Sequence, residues 1–116
     1  MLSCNCSTQS GYLEIIQGTT PTLTLDLDMD FSQDYELKLA VKTRLDKVIT
    51  IGQNDLFAQK SDCGCIVTTT FTQEQTLDMK RVISIQLSAK QTDTGMVYKT
   101  EEIEIPVKRS LDKAVM

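Results

Sequence analysis

The sequence predicts an all-β protein, a two-sheet antiparallel sandwich of about seven strands with one short crossover helix. Two observations predict this fold class. Apolar and polar residues alternate in several segments, which is the period of strands that bury one face. Polar or glycine-containing breaks separate these segments at intervals of about ten residues. A chain of 116 residues with 41% hydrophobic residues has the size of one domain with its own core.

The chain divides into three parts. Residues 1–10 are polar and predict a flexible N-terminal arm, residues 11–108 hold the β-sandwich domain, and residues 109–116 form a C-terminal tail. The arm has no basic region followed by an apolar run, so it does not resemble a secretory signal. No apolar run approaches the length of a membrane span. We therefore expect a protein that is made in a cytoplasm and has no membrane partner.

The clearest alternation lies in residues 21–31, PTLTLDLDMDF. The apolar face of this predicted strand carries Leu23, Leu25, Leu27 and Met29. The polar face carries Thr24, Asp26, Asp28 and Asp30. A polar turn at 32–34 and a second alternating segment at 35–43 predict a hairpin, in which the aspartates face Lys38 and Lys42.

Further strands are predicted at 11–17, 47–53, 66–71, 81–90 and 96–108. Together with the hairpin they suggest an immunoglobulin-like sandwich. In the segment 54–62, which has no clear period, we expect Leu56 and Phe57 to pack against the core. Thr72 and Gln75 match a capping box and predict a helix of about two turns, within 72–80, between two strands.

The composition excludes several classes of function. The chain has no histidine, so arrangements that need a catalytic histidine are absent, and no glycine-rich phosphate loop occurs. The net charge is −4 and no basic cluster is present, which argues against binding of nucleic acid. The aspartate row lacks the loop and carbonyl ligands of a calcium site. We therefore predict that the protein is not an enzyme and has no catalytic or cofactor-binding residues.

The four cysteines are the one distinctive chemical feature. They occur as two C-x-C pairs, Cys4 with Cys6 and Cys63 with Cys65. In an extended chain each pair presents two thiols on one face, and four thiolates can complete a tetrahedral zinc site. Three states remain open: reduced thiols, as expected in a cytoplasm, a structural zinc, or disulfides that join the arm to residues 63–65. Any metal or bridge here would be structural.

Four segments, taken in order, resemble small prophage-encoded structural proteins of Gram-positive bacteria. They are 18–25 (GTTPTLTL), 71–77 (FTQEQTL), 83–87 (ISIQL) and 103–112 (IEIPVKRSLD), and the resemblance extends over residues 15–112. Such proteins are similar to the N-terminal domain of the upper baseplate proteins of lactococcal-type phages. The resemblance implies a β-sandwich in a tail- or baseplate-associated part of the virion. It transfers no functional residues, because its positions are core and turn positions, and the C-x-C pairs are outside it.

The expected partners follow from this resemblance. They are other phage structural proteins or further copies of the chain, contacted through sheet edges and faces. The alternative is a β-sandwich module of the host that binds a carbohydrate or a surface protein. Carbohydrate sites usually need exposed aromatic side chains, and this chain has three tyrosines, three phenylalanines and no tryptophan.

Overall fold

A computed structural model describes residues 15–44, 47–62 and 64–111. In these ranges the strands are β1 (Ile15–Ile16), β2 (Thr22–Leu27), β3 (Tyr35–Arg44), β4 (Lys47–Ile51), β5 (Phe57–Lys60), β6 (Cys65–Thr70), β7 (Val82–Gln91), β8 (Val97–Lys99) and β9 (Ile103–Lys108). A 3-10 turn covers Gln53–Asp55, and helix α1 covers Gln73–Leu77. The predicted arm at 1–10, the start of the first predicted strand and the end of the tail lie outside the described residues.

The strands form two sheets. The larger sheet has the order β1-β9-β7-β3-β4, with β8 also paired to β7, and the smaller has the order β2-β6-β5. Every pairing is antiparallel except the parallel one between β1 and β9. Strands β2, β5 and β6 correspond to strands B, D and E of variable-type immunoglobulin domains, and strands β3, β4, β7 and β9 correspond to C, C′, F and G. The predicted all-β, two-sheet sandwich is confirmed.

The core lies between the inward faces of the two sheets. From the smaller sheet come Leu23, Leu25, Leu27, Cys65 and Val67. From the larger sheet come Ile15, Leu37, Leu39, Val41, Ile51, Ile83, Ile85, Leu87, Ala89 and Ile105. The strand predicted at 81–90 buries its alternate residues Ile83, Ile85, Leu87 and Ala89, as its alternation requires. Aliphatic side chains supply most of this core, as the scarcity of aromatic residues requires.

The predicted hairpin of 21–31 with 35–43 is wrong. β2 pairs with β6 in the smaller sheet, whereas β3 pairs with β4 and β7 in the larger one. Asp26 lies opposite Ile66, and Lys38 lies opposite Ser88, so the predicted pairs of aspartate and lysine do not form. The alternation specifies which face of a strand is buried, but it does not specify the neighbouring strand.

The segment between β2 and β3 crosses from one sheet to the other. β2 ends at Leu27, four residues earlier than the alternation predicts. Met29, which we expected on the buried face, is 37% exposed, whereas Phe31 is buried. Phe31 contacts Tyr35 edge to face with 4.8 Å between ring centroids, and it also lies 5.9 Å from Tyr98. This aromatic cluster covers one end of the core.

The predicted crossover helix is confirmed, although at five residues, Gln73–Leu77, it is shorter than the two turns expected. Thr72 is its N-cap, the Thr72 hydroxyl accepts a hydrogen bond from the Gln75 amide at 3.1 Å, and the Gln75 side chain accepts one from the Thr72 amide at 2.8 Å. The helix carries the chain from β6 in the smaller sheet to β7 in the larger one. In the described part of the chain, no helix has the length and apolar character needed to cross a membrane.

Two further expectations are only partly confirmed. Leu56 is buried, but Phe57 is 69% exposed and begins β5. The last predicted strand is split into β8 and β9. Ser88 pairs with Lys99, and Ile85 pairs with Ile103. Between these two pairs β7 advances by three residues, whereas the segment that joins β8 to β9 advances by four. The extra residue is a β-bulge at 100–102.

Candidate functional site

A groove of about 550 Å³ lies on the outer face of the larger sheet. Strands β3, β4, β7 and β8, with Gly52 and Gln53 after β4, provide its described lining. Ala40, Thr50 and Ser88 contribute small side chains to this lining.

Strand register places lysines around the groove. Lys38 lies opposite Ser88, and Ser88 lies opposite Lys99, so two lysines flank one serine across three neighbouring strands. Neighbouring strands are about 4.8 Å apart, which puts the backbones of the two lysines about 10 Å apart. Lys90 is two residues further along β7, between Glu36 and Val97. All three lysines are exposed.

The groove therefore has a charge opposite in sign to that of the whole chain. Its described lining carries three lysines and one glutamate, whereas the net charge of the protein is −4. An exposed ammonium group donates up to three hydrogen bonds and attracts a carboxylate. The arrangement is suited to holding carboxylates of another molecule. None of the described lining residues is aromatic, so this groove has no platform on which a sugar ring stacks.

A smaller cavity of about 280 Å³ lies beside the exposed Phe57. The rest of its described lining comes from the end of β4, the 3-10 turn, the end of β6 and the N-terminal end of α1, and it includes Thr50, Thr70 and Thr72. An exposed phenylalanine ring among threonine methyl groups is a small apolar patch at the side of the sandwich. The sequence does not predict this patch, because the position of Phe57 on an outward face depends on its pairing with Thr68.

Of the four predicted cysteine ligands, the structure describes one. Cys65 is a free thiol at the start of β6, and it is fully buried beneath the smaller sheet. Its Sγ accepts a hydrogen bond from the Phe31 amide at 3.4 Å. Burial raises the pKa of the Cys65 thiol above its ordinary value. Cys4, Cys6 and Cys63 lie outside the described residues, so the zinc and disulfide hypotheses remain predictions.

The described acidic residues do not form a metal site. Among residues 15–44, 47–62 and 64–111, no group of three or more histidine, cysteine, aspartate or glutamate side chains is placed to hold a metal ion. Asp30 serves the turn after β2: its carboxylate accepts hydrogen bonds from the Ser32 hydroxyl at 2.5 Å and the Ser32 amide at 2.9 Å. These hydrogen bonds hold the pKa of Asp30 below its usual value.

No protein-family model matches the sequence, and no curated protein matches it significantly. The sequence does not predict the groove either, although it contains the three lysines. Their separation along the chain, from Lys38 to Lys99, hides the fact that β3, β7 and β8 are neighbours. The alternation in the sequence does indicate that Lys38 and Lys90 point outward from their strands, and this was the available signal for a basic surface.

Proposed function

We propose that this protein is a non-enzymatic structural component of a phage or prophage particle, associated with the tail or baseplate. It acts as an assembly module through contacts with other protein chains. The observation that carries the proposal is the basic groove on the outer face of the larger sheet, an exposed concave surface suited to a carboxylate-bearing partner. The phage context comes from the ordered resemblance over residues 15–112.

The positions of the resembling segments support a role in the fold. Gly18, in the first segment, has a positive φ of 82° at the turn that leads into β2. The second segment contains the capping box of α1, and the third lies in β7. These positions build the sandwich, and among the described residues that line the groove only Gln86 belongs to one of the segments. Such a division is expected of a structural module whose partners differ between particles.

The aromatic residues give little support to the alternative, a host module that binds a carbohydrate. Phe31, Tyr35 and Tyr98 pack against one another at the end of the core, where Tyr35 and Tyr98 are 6.3 Å apart between ring centroids. They are used for packing, and Phe57 stands beside a different and smaller cavity. A host surface protein as ligand remains compatible with the basic groove.

Mass spectrometry of purified particles tests the proposal directly. Particles are induced from a strain that carries the gene and are separated from free protein on a density gradient. We expect the protein to co-purify with the particles in a fixed ratio to the major tail proteins. Particles that are complete and infectious without it would overturn the proposal.

Charge reversal of the groove tests whether this surface makes the contact. In the variant Lys38→Glu, Lys90→Glu and Lys99→Glu, we expect incorporation into particles to fall by about tenfold, because three exposed ion pairs are replaced by repulsion. The control Lys42→Glu, Lys60→Glu and Lys80→Glu has the same total charge and alters exposed lysines outside the groove. Equal incorporation of the two variants would exclude the groove as the contact surface.

A further inference from the structure

Backbone hydrogen-bonding groups lie along the outer edge of β2, where no described strand pairs with it. The Phe71 amide donates to the Pro21 carbonyl at 3.0 Å, in the same register that pairs β2 with β6. In an antiparallel ladder hydrogen-bonded pairs recur at every second residue, so the backbone groups of Leu23, Leu25 and Leu27 face β6. Those of Thr22, Thr24 and Asp26 face away from it. Among the described strands, β6 is the only neighbour of β2.

The other described edges carry features that discourage strand addition. β4 begins at Lys47, which forms an ion pair with Asp78 at 2.7 Å, and its ladder with β3 is irregular between Lys42 and Arg44. β5 has four residues and ends at Lys60, β8 has three residues and ends at Lys99, and β1 has two residues. Lysines, bulges and short strands are the usual means by which proteins protect sheet edges.

β2 has none of these features. Its six residues, TLTLDL, run in unbroken register, contain no lysine or proline, and carry one charged side chain. Three N–H groups and three C=O groups point outward along this edge, from Thr22, Thr24 and Asp26. An edge of this kind is a template for another strand. The remaining question is which strand fits.

A second copy of β2 fits in an antiparallel register centred on Thr24. In that register Thr22 lies opposite Asp26 of the other copy, and the two Thr24 residues lie opposite each other. All outward backbone groups of both strands are then paired. The Thr22 hydroxyl, which already shares a hydrogen bond with the Thr70 hydroxyl at 3.0 Å within the chain, then lies across from the Asp26 carboxylate, and like charges do not meet. On the inner face the leucine row continues from one copy into the other, because Leu23 lies opposite Leu25.

We infer that two copies of this protein associate through β2, so that their smaller sheets form one continuous sheet across a two-fold axis. The inference deepens the proposed function and rests on its premise that the protein acts through contacts with protein chains. A symmetric pairing of one edge closes after two copies and does not continue into fibres. The basic grooves lie on the other sheets and stay open to further partners.

Dimerisation is measured with the full-length chain, by sedimentation velocity over a range of concentrations. We expect a dimer whose population rises with protein concentration. Thr24→Pro should raise the dissociation constant on the order of tenfold or more, because proline removes the N–H from the centre of the interface. That N–H faces away from β6, so the ladder within the chain is unchanged. The control is Thr50→Pro, at the outward edge of β4, where the dimer should persist. A chain that stays monomeric, or dimers equally weakened by both prolines, would refute the inference.

Substitutions that introduce a lysine test the register separately. Thr24→Lys places two ammonium groups opposite each other and should raise the dissociation constant of the dimer on the order of tenfold. Thr22→Lys places an ammonium group opposite Asp26 of the other copy and should preserve or strengthen it. Thr68→Lys, on the same outer face but in the central strand β6, is the control. Dimers that tolerate Thr24→Lys would show that the register is different from the one inferred.

Hydrogen exchange distinguishes a second copy from a segment of the same chain. If β2 of another copy covers the edge, protection of the Thr24 amide rises with protein concentration. If residues 1–14 of the same chain cover it, protection is independent of concentration, and the inference fails. Dimerisation and incorporation into particles are separate measurements. Loss of one with retention of the other identifies which of the two proposals is wrong.

Discussion

Two buried threonines differ in the hydrogen bonding of their hydroxyl groups. Thr76, in α1, accepts a hydrogen bond from the Gly18 amide at 3.0 Å and donates one to the Thr19 carbonyl at 2.8 Å. It thereby ties the helix to the turn before β2. The Thr43 hydroxyl, in β3, is also buried and has no hydrogen-bond partner in the described part of the chain. A buried hydroxyl without a partner reduces stability.

The same substitution should therefore have opposite effects at these two positions. Thr76→Val leaves two backbone groups without their partner, and we expect it to lower the free energy of unfolding by about 1–3 kcal/mol. Thr43→Val removes an unpaired hydroxyl, and we expect an increase of about 1 kcal/mol. Urea denaturation of the two variants measures both values. A destabilised Thr43→Val variant would mean that this hydroxyl has a partner in solution.

Gly64 is required because two backbone segments approach each other closely. A Cβ at this position would collide with the carbonyl oxygen of Leu27 and would lie 2.6 Å from the amide nitrogen of Met29. We expect Gly64→Ala to destabilise the fold by about 2–3 kcal/mol, because the backbone around the end of β2 must move. The control is Gly52→Ala, where a Cβ would meet no atom within 4 Å. Thermal unfolding of both variants gives the comparison, and equal melting temperatures would contradict the expectation.

At the scale of elements, Thr100 explains how the last strand is interrupted without loss of hydrogen bonds. Its amide donates to the Leu87 carbonyl at 3.0 Å, and its hydroxyl accepts from the Leu87 amide at 3.1 Å. The Gln86 side chain donates to the Thr100 carbonyl at 2.9 Å. One side chain thus replaces a missing backbone partner at the bulge between β8 and β9.

This role predicts different outcomes for two substitutions of Thr100. Thr100→Val leaves the buried Leu87 amide without an acceptor and should cost about 1–3 kcal/mol, whereas Thr100→Ser keeps the hydroxyl and should cost less. Denaturant unfolding measures the stability, and amide exchange at Leu87 reports the hydrogen bond itself. Slow exchange of this amide in the valine variant would show that another group accepts from it.

Elements with purely local signals were predictable. The capping box of α1 needs two side chains three residues apart, and the strand at 82–91 needs only its own alternation. Phe57 and Met29 were misplaced because their exposure depends on neighbours that are distant in the sequence. The β2–β3 hairpin was wrong for the same reason: a turn of suitable length is compatible with both a hairpin and a crossing between sheets.

At the scale of the whole molecule, burial of Cys65 links stability to pH. The thiol pKa is raised in the folded state, so above the ordinary thiol pKa of about 8.5 the unfolded chain binds fewer protons than the folded one. The stabilising contribution is complete below that value and is lost as the pH rises through the folded-state pKa.

We therefore expect the free energy of unfolding to fall between about pH 7.5 and about pH 9.5, and to fall less steeply in Cys65→Ala. Denaturant unfolding under reducing conditions, at both pH values, measures the two slopes. Ionisation of lysines and tyrosines is common to both proteins and cancels in the comparison. Equal slopes would show that the Cys65 thiol does not control this dependence.

By itself the sequence determined that this protein is a two-sheet β-sandwich, which residues of most strands face the core, and where the crossover helix begins. These features depend on periodicity and on contacts within a few residues. Only the tertiary structure decided that β2 and β3 belong to different sheets, that Lys38 and Lys99 share a groove, and that the edge of β2 is open among the described strands. Each of these depends on which distant strands become neighbours, and alternation carries no information about that choice.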